Sequence, residues 1–275
     1  MKQEKHLYNE IIEVLRKPVM SVLPGHLSFF LLLSAIPLIL IFVSVASAFS
    51  LSYDALIEFI TLSLPASTSK LILPLFTERA LDFSVTLLAI TAIYLASRGA
   101  KAIILAANNI YGGAKNPIQE IIKSLIITIL LIAVFIFLIL ILVLGEMVLK
   151  KLTLVSQLSF ISNNLLAFIR LIRWPLALFV VFFLIKIIYT LTPNKKIKSK
   201  TVNKGSLFTT VGWLIITYIY SFYVTNYASY NTYFGSASNL VILMIWVFMI
   251  SQIFVIGMVI NSIEDKKMND NLSIK

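Results

Sequence analysis

Six stretches of the chain stay apolar long enough to cross a bilayer, and polar stretches separate them. A hydrocarbon core of about 30 Å needs roughly 20 apolar residues in a helix. The runs lie at about 26–49, 83–105, 121–147, 173–192, 205–227 and 239–262. The predicted fold is therefore all-α: one polytopic membrane domain over residues 1–275 with six transmembrane helices. Two connecting segments, about 50–82 and 148–172, mix apolar and polar residues at helical spacing. In the first, Tyr53, Leu56, Ile57 and Ile60 share a face that excludes Asp54 and Glu58, the pattern of a helix lying on the membrane surface. Interfacial helices are expected in these two long outer segments, with an ordered loop as the alternative. Residues 263–275 read as a short, flexible cytoplasmic tail.

Composition removes the soluble alternative. Of 275 residues 59% are hydrophobic and 13% charged, and the mean hydropathy is +0.96. A soluble domain carries about 25% charged residues, and one this apolar would expose aggregating patches. There is no cysteine, which removes disulfides, thiolate metal sites and cysteine nucleophiles. Residues 1–25 are mixed in charge and lead into a long apolar run, so a cleaved signal peptide is not expected.

Charge sets the orientation. The net charge of +11 would suggest nucleic acid in a soluble protein, but here topology accounts for it. The 194–204 loop carries Lys195, Lys196, Lys198, Lys200 and Lys204 and no acidic residue, whereas 228–238 has no Lys or Arg. These connections fall on opposite sides, and the basic one belongs in the cytoplasm. Both termini then lie inside, in agreement with Lys2, Lys5, Arg16, Lys17, Lys266 and Lys267. Lys150, Lys151, Arg170 and Arg173 dissent, falling outside. No nucleic-acid partner is expected. Membrane lipids are, with anionic headgroups as candidates for the basic loop.

Several intramembrane residues carry candidate chemistry. Pro37 interrupts the first span, and Ser34 stands near enough to satisfy freed backbone groups. The kink is either a hinge or static. The second span lines up Ala89, Ala92, Ala96 and Gly99 or Ala100, a close-packing face. Beyond it stand Arg98, Lys101, Asn108 and Asn109, which either snorkel to phosphates or build a cationic headgroup site. The fifth span carries a polar stripe, Ser206, Thr210, Trp213, Thr217, Ser221 and Thr225, at intervals of three or four. Such a stripe faces either neighbouring helices or a substrate path. Tyrosines, including Tyr230 and Tyr233, crowd its outer half. In the sixth span Gln252 and Asn261 are polar within apolar sequence.

Phosphate-binding and zinc-protease motifs are missing, as is any close carboxylate cluster in or beside a span. A metal-dependent hydrolase needs several convergent His, Asp or Glu ligands, and His6 and His26 are the chain's two histidines. No catalytic residue, metal or cofactor is expected.

Four segments in order resemble one family. LSFFLLLSAIPLILIF carries a serine-x-x-proline at Ser34 and Pro37, and SRGAKAIILAANNIYG ends a helix with Asn108 or Asn109, Tyr111 and Gly112. IIYTLTPNKKIKSKTVNKGSLFTT runs from a tyrosine-to-proline exit through a basic loop into a glycine-led helix. YASYNTYFGSASNLVILMIWVFMISQIFVIGMVIN places Tyr230, Tyr233 and Gly235 in a turn before Trp246, Gly257 and Asn261. Together they resemble the YihY/BrkB family of bacterial inner-membrane proteins, once labelled ribonuclease BN. His26 departs from the small residue more usual there. The resemblance implies six helices with cytoplasmic ends and a link to envelope integrity, serum resistance and lipid movement, without a settled activity. The expected function is a lipid or amphiphile transporter, a flippase or exporter. The alternative is a non-transporting envelope-assembly or scaffold protein, and the ribonuclease label lacks the ligands it needs.

Overall fold

A computed structural model describes residues 20–33, 85–139 except 115, 159–227 and 237–273, with isolated positions at 10, 12–14, 16, 57 and 61. All of the regular structure among these residues is helical. We label the helices α1 (Met20–Leu33), α2 (Val85–Tyr111), α3 (Pro117–Ile139), α4 (Ser159–Leu191), α5 (Asn203–Tyr227) and α6 (Ala237–Ser273). Four contain stretches long and apolar enough to cross a membrane: Pro117–Val134, Trp174–Leu191, Asn203–Asn226 and Leu240–Asp270. Their outward side chains are those a bilayer tolerates and water does not, for example Ile118, Ile129, Phe179, Ile215 and Ile245, all exposed.

Local chemistry explains the helix ends. α2 stops because Gly112 takes a left-handed φ of 70° and the Gly113 amide donates to the Asn108 carbonyl at 3.0 Å. That is a Schellman closure, and glycine supplies the left-handed residue without strain. α3 starts on Asn116, whose Oδ1 accepts the Gln119 amide at 3.2 Å, with Pro117 in the first helical position and Glu120 in the first turn. α4 ends just short of Pro193, and α5 opens after a turn closed by Thr201 on the Lys198 carbonyl.

α2 runs past its membrane span to Tyr111, as far as the sequence stays helix-compatible, and Gly112 breaks it. Two boundaries differ from expectation. α4 is continuous from Ser159 to Leu191 through Pro175, so residues 159–172 extend the span helix instead of forming a separate surface helix. Residues 263–273, expected as a flexible tail, are the last turns of α6. Ile263 and Asp265 are buried there, and Glu264 and Asp265 pair with lysines of the basic loop.

α5 packs most extensively on α6 and α2 on α3, while α4 touches both α3 and α5 and α6 also meets α2. The main core lies toward the basic-loop end. Leu27 of α1, Ala106 and Ala107 of α2, Ile185 and Tyr189 of α4, Val202, and Val255 and Val259 of α6 converge there. α1 seats against α2 closely enough that the Phe30 carbonyl oxygen lies 3.7 Å from where a Gly99 side chain would begin.

Candidate functional site

Of the residues that carry the family-like pattern, Asn108, Tyr111, Gly257 and Asn261, with Gly205 of the glycine-led helix, lie far apart in sequence but meet at one end of the bundle. Asn108, buried at the end of α2, braces two connections. Its Oδ1 accepts the Asn194 amide at 2.8 Å, and its Nδ2 donates to Glu120 Oε1 at 3.4 Å. Asn194 Nδ2 donates to the Ala114 carbonyl at 2.8 Å, and Lys123 Nζ donates to the Pro193 carbonyl at 2.5 Å. Gly113 is small of necessity, because a Cβ there would stand 2.5 Å from Asn108 Oδ1.

A second junction joins α4, α5 and α6. The Gly205 amide donates to Asn261 Oδ1 at 2.7 Å, which satisfies one of the otherwise orphan donors at the start of α5. Tyr189, fully buried, donates to the Phe254 carbonyl at 2.7 Å and shares a hydrogen bond with Thr209 Oγ1 at 2.7 Å. Gly205 and Gly257 let the backbones of α5 and α6 nearly touch. A Cβ on Gly205 would overlap the Gly257 carbonyl, and one on Gly257 would overlap Thr209 Oγ1 and approach the Tyr189 hydroxyl to 2.6 Å.

Ion pairs bind the basic loop to the end of α6. Lys195 Nζ lies 3.2 Å from Asp265 Oδ2, whose side chain is 3% exposed, and Lys204 Nζ lies 2.9 Å from Glu264 Oε1. Lys267 reaches Glu10 at 3.6 Å. Tyr111 is buried, with its hydroxyl unpartnered among the described residues. Burial, and secondarily the negative charge of Asp265, hold its phenol well above the ordinary tyrosine range.

Beside these junctions a cleft of about 280 Å³ opens between α1 and the α2–α3 corner. His26, Asn108, Asn109 and Glu120 supply its polar lining, and Val22 and Leu105 its apolar lining. Asn109 and His26 are exposed at its edge, while Asn108 and Glu120 are buried.

The remaining expected site residues divide. Arg98 is exposed and tied to its own helix, its guanidinium 2.7 Å from the Tyr94 hydroxyl and 5.1 Å from the ring centroid; Lys101 is half-buried. On α5 the stripe splits along its length. Ser206 and Thr210 are buried and donate to the carbonyls of Val202 and Ser206, at 2.6 and 2.8 Å. Trp213 Nε1 crosses to the Ile250 carbonyl at 3.0 Å, and Trp246 Nε1 donates to Thr217 Oγ1 at 3.3 Å. Ser221 is half-buried and Thr225 exposed. Gln252 is half-buried, and Asn261 is the buried cap of α5. Ser34, Pro37, Tyr230 and Tyr233 lie outside the described residues. Glu120, Tyr189 and Asp265 belong to this end of the molecule and were not singled out as site residues. For Glu120 the available signal was its place three residues after a proline-opened helix start; nothing local marks Asp265.

The described fold defines an integral membrane protein of the all-helical class: lipid-exposed helices stitched at one end by a buried polar network. A family model described as "Virulence factor BrkB" matches residues 11–275, and the chain belongs to that family. It is 29% identical over 251 residues to YfkH of Bacillus subtilis (strain 168), a protein whose name calls it ribonuclease-like; the match covers 88% of this chain and 89% of that one. No solved structure matches.

Proposed function

We propose that the chain is a lipid or amphiphile transporter of the bacterial cytoplasmic membrane, a flippase or exporter with no enzymatic step. In this reading all six apolar runs cross the bilayer and both termini lie in the cytoplasm. The observation that carries it is the cleft. It sets His26, Asn108, Asn109 and Glu120 at the end of the bundle where the basic loop gathers, and Val22 at its edge is 66% exposed to the surroundings. A polar recess edged by exposed apolar residues of α1 suits a molecule whose headgroup leaves water while its tails stay in the bilayer.

The test is translocation in proteoliposomes made with purified protein and headgroup-labelled lipids, read by dithionite quenching of the outer leaflet. Movement faster than in protein-free vesicles is expected for at least one headgroup class. Protein-independent rates for every class, with and without an imposed ion gradient, would reject the reading.

A scaffold is the second reading, favoured by Lys196, Lys198 and Lys200, which remain exposed on the basic loop. Charge reversal there should abolish copurification of a partner or of anionic lipid. A nuclease is not proposed, since among the described residues no three His, Asp or Glu side chains gather at one place.

A further inference from the structure

The cleft contains an electrostatic imbalance. Glu120 is 6% exposed, yet among the described residues no Lys or Arg forms an ion pair with it. Its side-chain partner is Asn108 Nδ2, a neutral amide at the long distance of 3.4 Å. Lys123, one helical turn on, feels the Glu120 charge but spends its hydrogen bond on the Pro193 carbonyl. A buried carboxylate with one weak neutral donor and a nearby but unpaired ammonium is only partly compensated for the water it has lost. The first-turn position offers it the positive end of the α3 dipole, which is a partial compensation. The carboxylate also lines the cleft, so a cation entering there could supply the rest.

The cleft's surroundings narrow the kind of cation. Val22, His26, Phe29 and Leu33 recur at intervals of four, seven and eleven from the first, so they share one face of α1. All four are exposed, and the three apolar ones continue from the cleft edge along the helix. A ligand with its cation at Glu120 would lay an apolar tail along that row. Asn109 and His26 at the edge offer neutral donors and acceptors to the polar atoms between cation and tail.

We infer that the cleft between α1 and the α2–α3 corner binds an amphiphile through a primary ammonium headgroup, with Glu120 as the counter-ion. The inference deepens the transport reading and rests on it for its biological meaning, but binding is measurable without transport. A primary ammonium brings three donors to a carboxylate that lacks them, and a charge-assisted hydrogen bond is about twice as strong as a neutral one.

The experiment compares four probes on the purified full-length wild-type protein in neutral detergent. They are short-chain phosphatidylethanolamine, its N-acetyl derivative, short-chain phosphatidylglycerol and soluble phosphoethanolamine, each followed by native mass spectrometry. The amine lipid is expected to bind about tenfold or more tightly than the other three. Glu120→Gln should erase that preference. Because the N-acetyl comparison is made on wild-type protein, a folding defect in the variant would not spoil the test. Equal affinity for the amine lipid and its N-acetyl form would overturn the inference, as would a preference that survives Glu120→Gln. Equal affinity for soluble phosphoethanolamine would overturn the amphiphile assignment. Amine-selective binding without translocation would reject the transport reading and keep the site. Translocation with no amine selectivity would do the reverse.

Discussion

Adding one methyl group at Gly257 should unlock the contact between α5 and α6. An alanine Cβ there would overlap Thr209 Oγ1, stand 2.6 Å from the Tyr189 hydroxyl and lie 2.9 Å from the Gly205 carbonyl oxygen. The side-chain hydroxyls can turn away, but the carbonyl is backbone, so the helices must separate. Overpacking of a tight interior costs about 1–3 kcal/mol. Turning Tyr189 aside also breaks its bonds to Thr209 and Phe254, each worth about 0.5–1.5 kcal/mol. Gly257→Ala should therefore destabilise the bundle by about 2–6 kcal/mol. The assay is SDS titration of the protein in mixed micelles, followed by tryptophan fluorescence. Trp213, stacked on Phe254 at 6.1 Å, reports from the same layer. Gly25→Ala is the control, since a Cβ at Gly25 meets nothing within 4 Å. It should leave stability unchanged or raise it by up to about 1 kcal/mol, as expected for glycine inside a helix. A Gly257→Ala protein that unfolds at the same SDS fraction as wild type would refute the close-contact argument.

The two loop ion pairs should differ in weight. Lys195→Ala leaves Asp265, whose side chain is 3% exposed, with only the Asn269 amide at 3.3 Å among the described residues, and should cost more than about 1 kcal/mol in the same titration, whereas the mostly exposed Lys204 should cost under about 0.5 kcal/mol on changing to Ala. Asn261→Ala removes the acceptor that caps the Gly205 amide and should cost about 1–3 kcal/mol. Tyr111→Phe should be neutral or stabilising at pH 7, because its buried hydroxyl has no partner among the described residues. The phenol's folded-state pKa lies above its unfolded value of 10.0, so the neutral-hydroxyl contribution is complete below pH 10.0 and fades as pH rises past it; the variant should lose less stability than wild type in that alkaline window. Thr210→Val should leave both folding and translocation near wild type, because the hydroxyl is already spent on the Ser206 carbonyl; a loss of translocation would return the α5 stripe to the substrate path.

Hydropathy marked the helices well where their ends are built from local signals. The fifth run, expected at 205–227, is observed as Asn203–Tyr227 because the basic loop and its Thr201 turn set its start. Hydropathy missed the last turns of α6, since what holds Glu264 and Asp265 is Lys204 and Lys195, 60 and 70 residues away. It also missed the length of α4, expected from about 173 and observed from Ser159 with Pro175 inside the helix. At the site, Asn261 stood out as a polar residue in apolar sequence and Asn108 as a member of the polar group beyond the second span, and both are braces between elements. The α5 periodicity correctly grouped Ser206, Thr210 and Trp213 on one face, but periodicity does not say what lies opposite. There the hydroxyls turn back to their own helix and the indole reaches across to α6. Glu120 was invisible as a site residue because its lack of a direct ion pair depends on where Lys123 donates, which only the folded corner decides.

The proposed route takes lipid by way of the cleft at Asn108, Asn109 and Glu120. Asn109 is exposed at the cleft's edge, so Asn109→Trp fills the cleft without disturbing the buried braces. The decisive measurement is dithionite-read translocation by Asn109→Trp beside wild type, at equal reconstitution and with matched stability in the SDS titration. Rates near those of protein-free vesicles are expected for the variant and clear movement for wild type. Wild-type rates in the filled variant would contradict the proposed route.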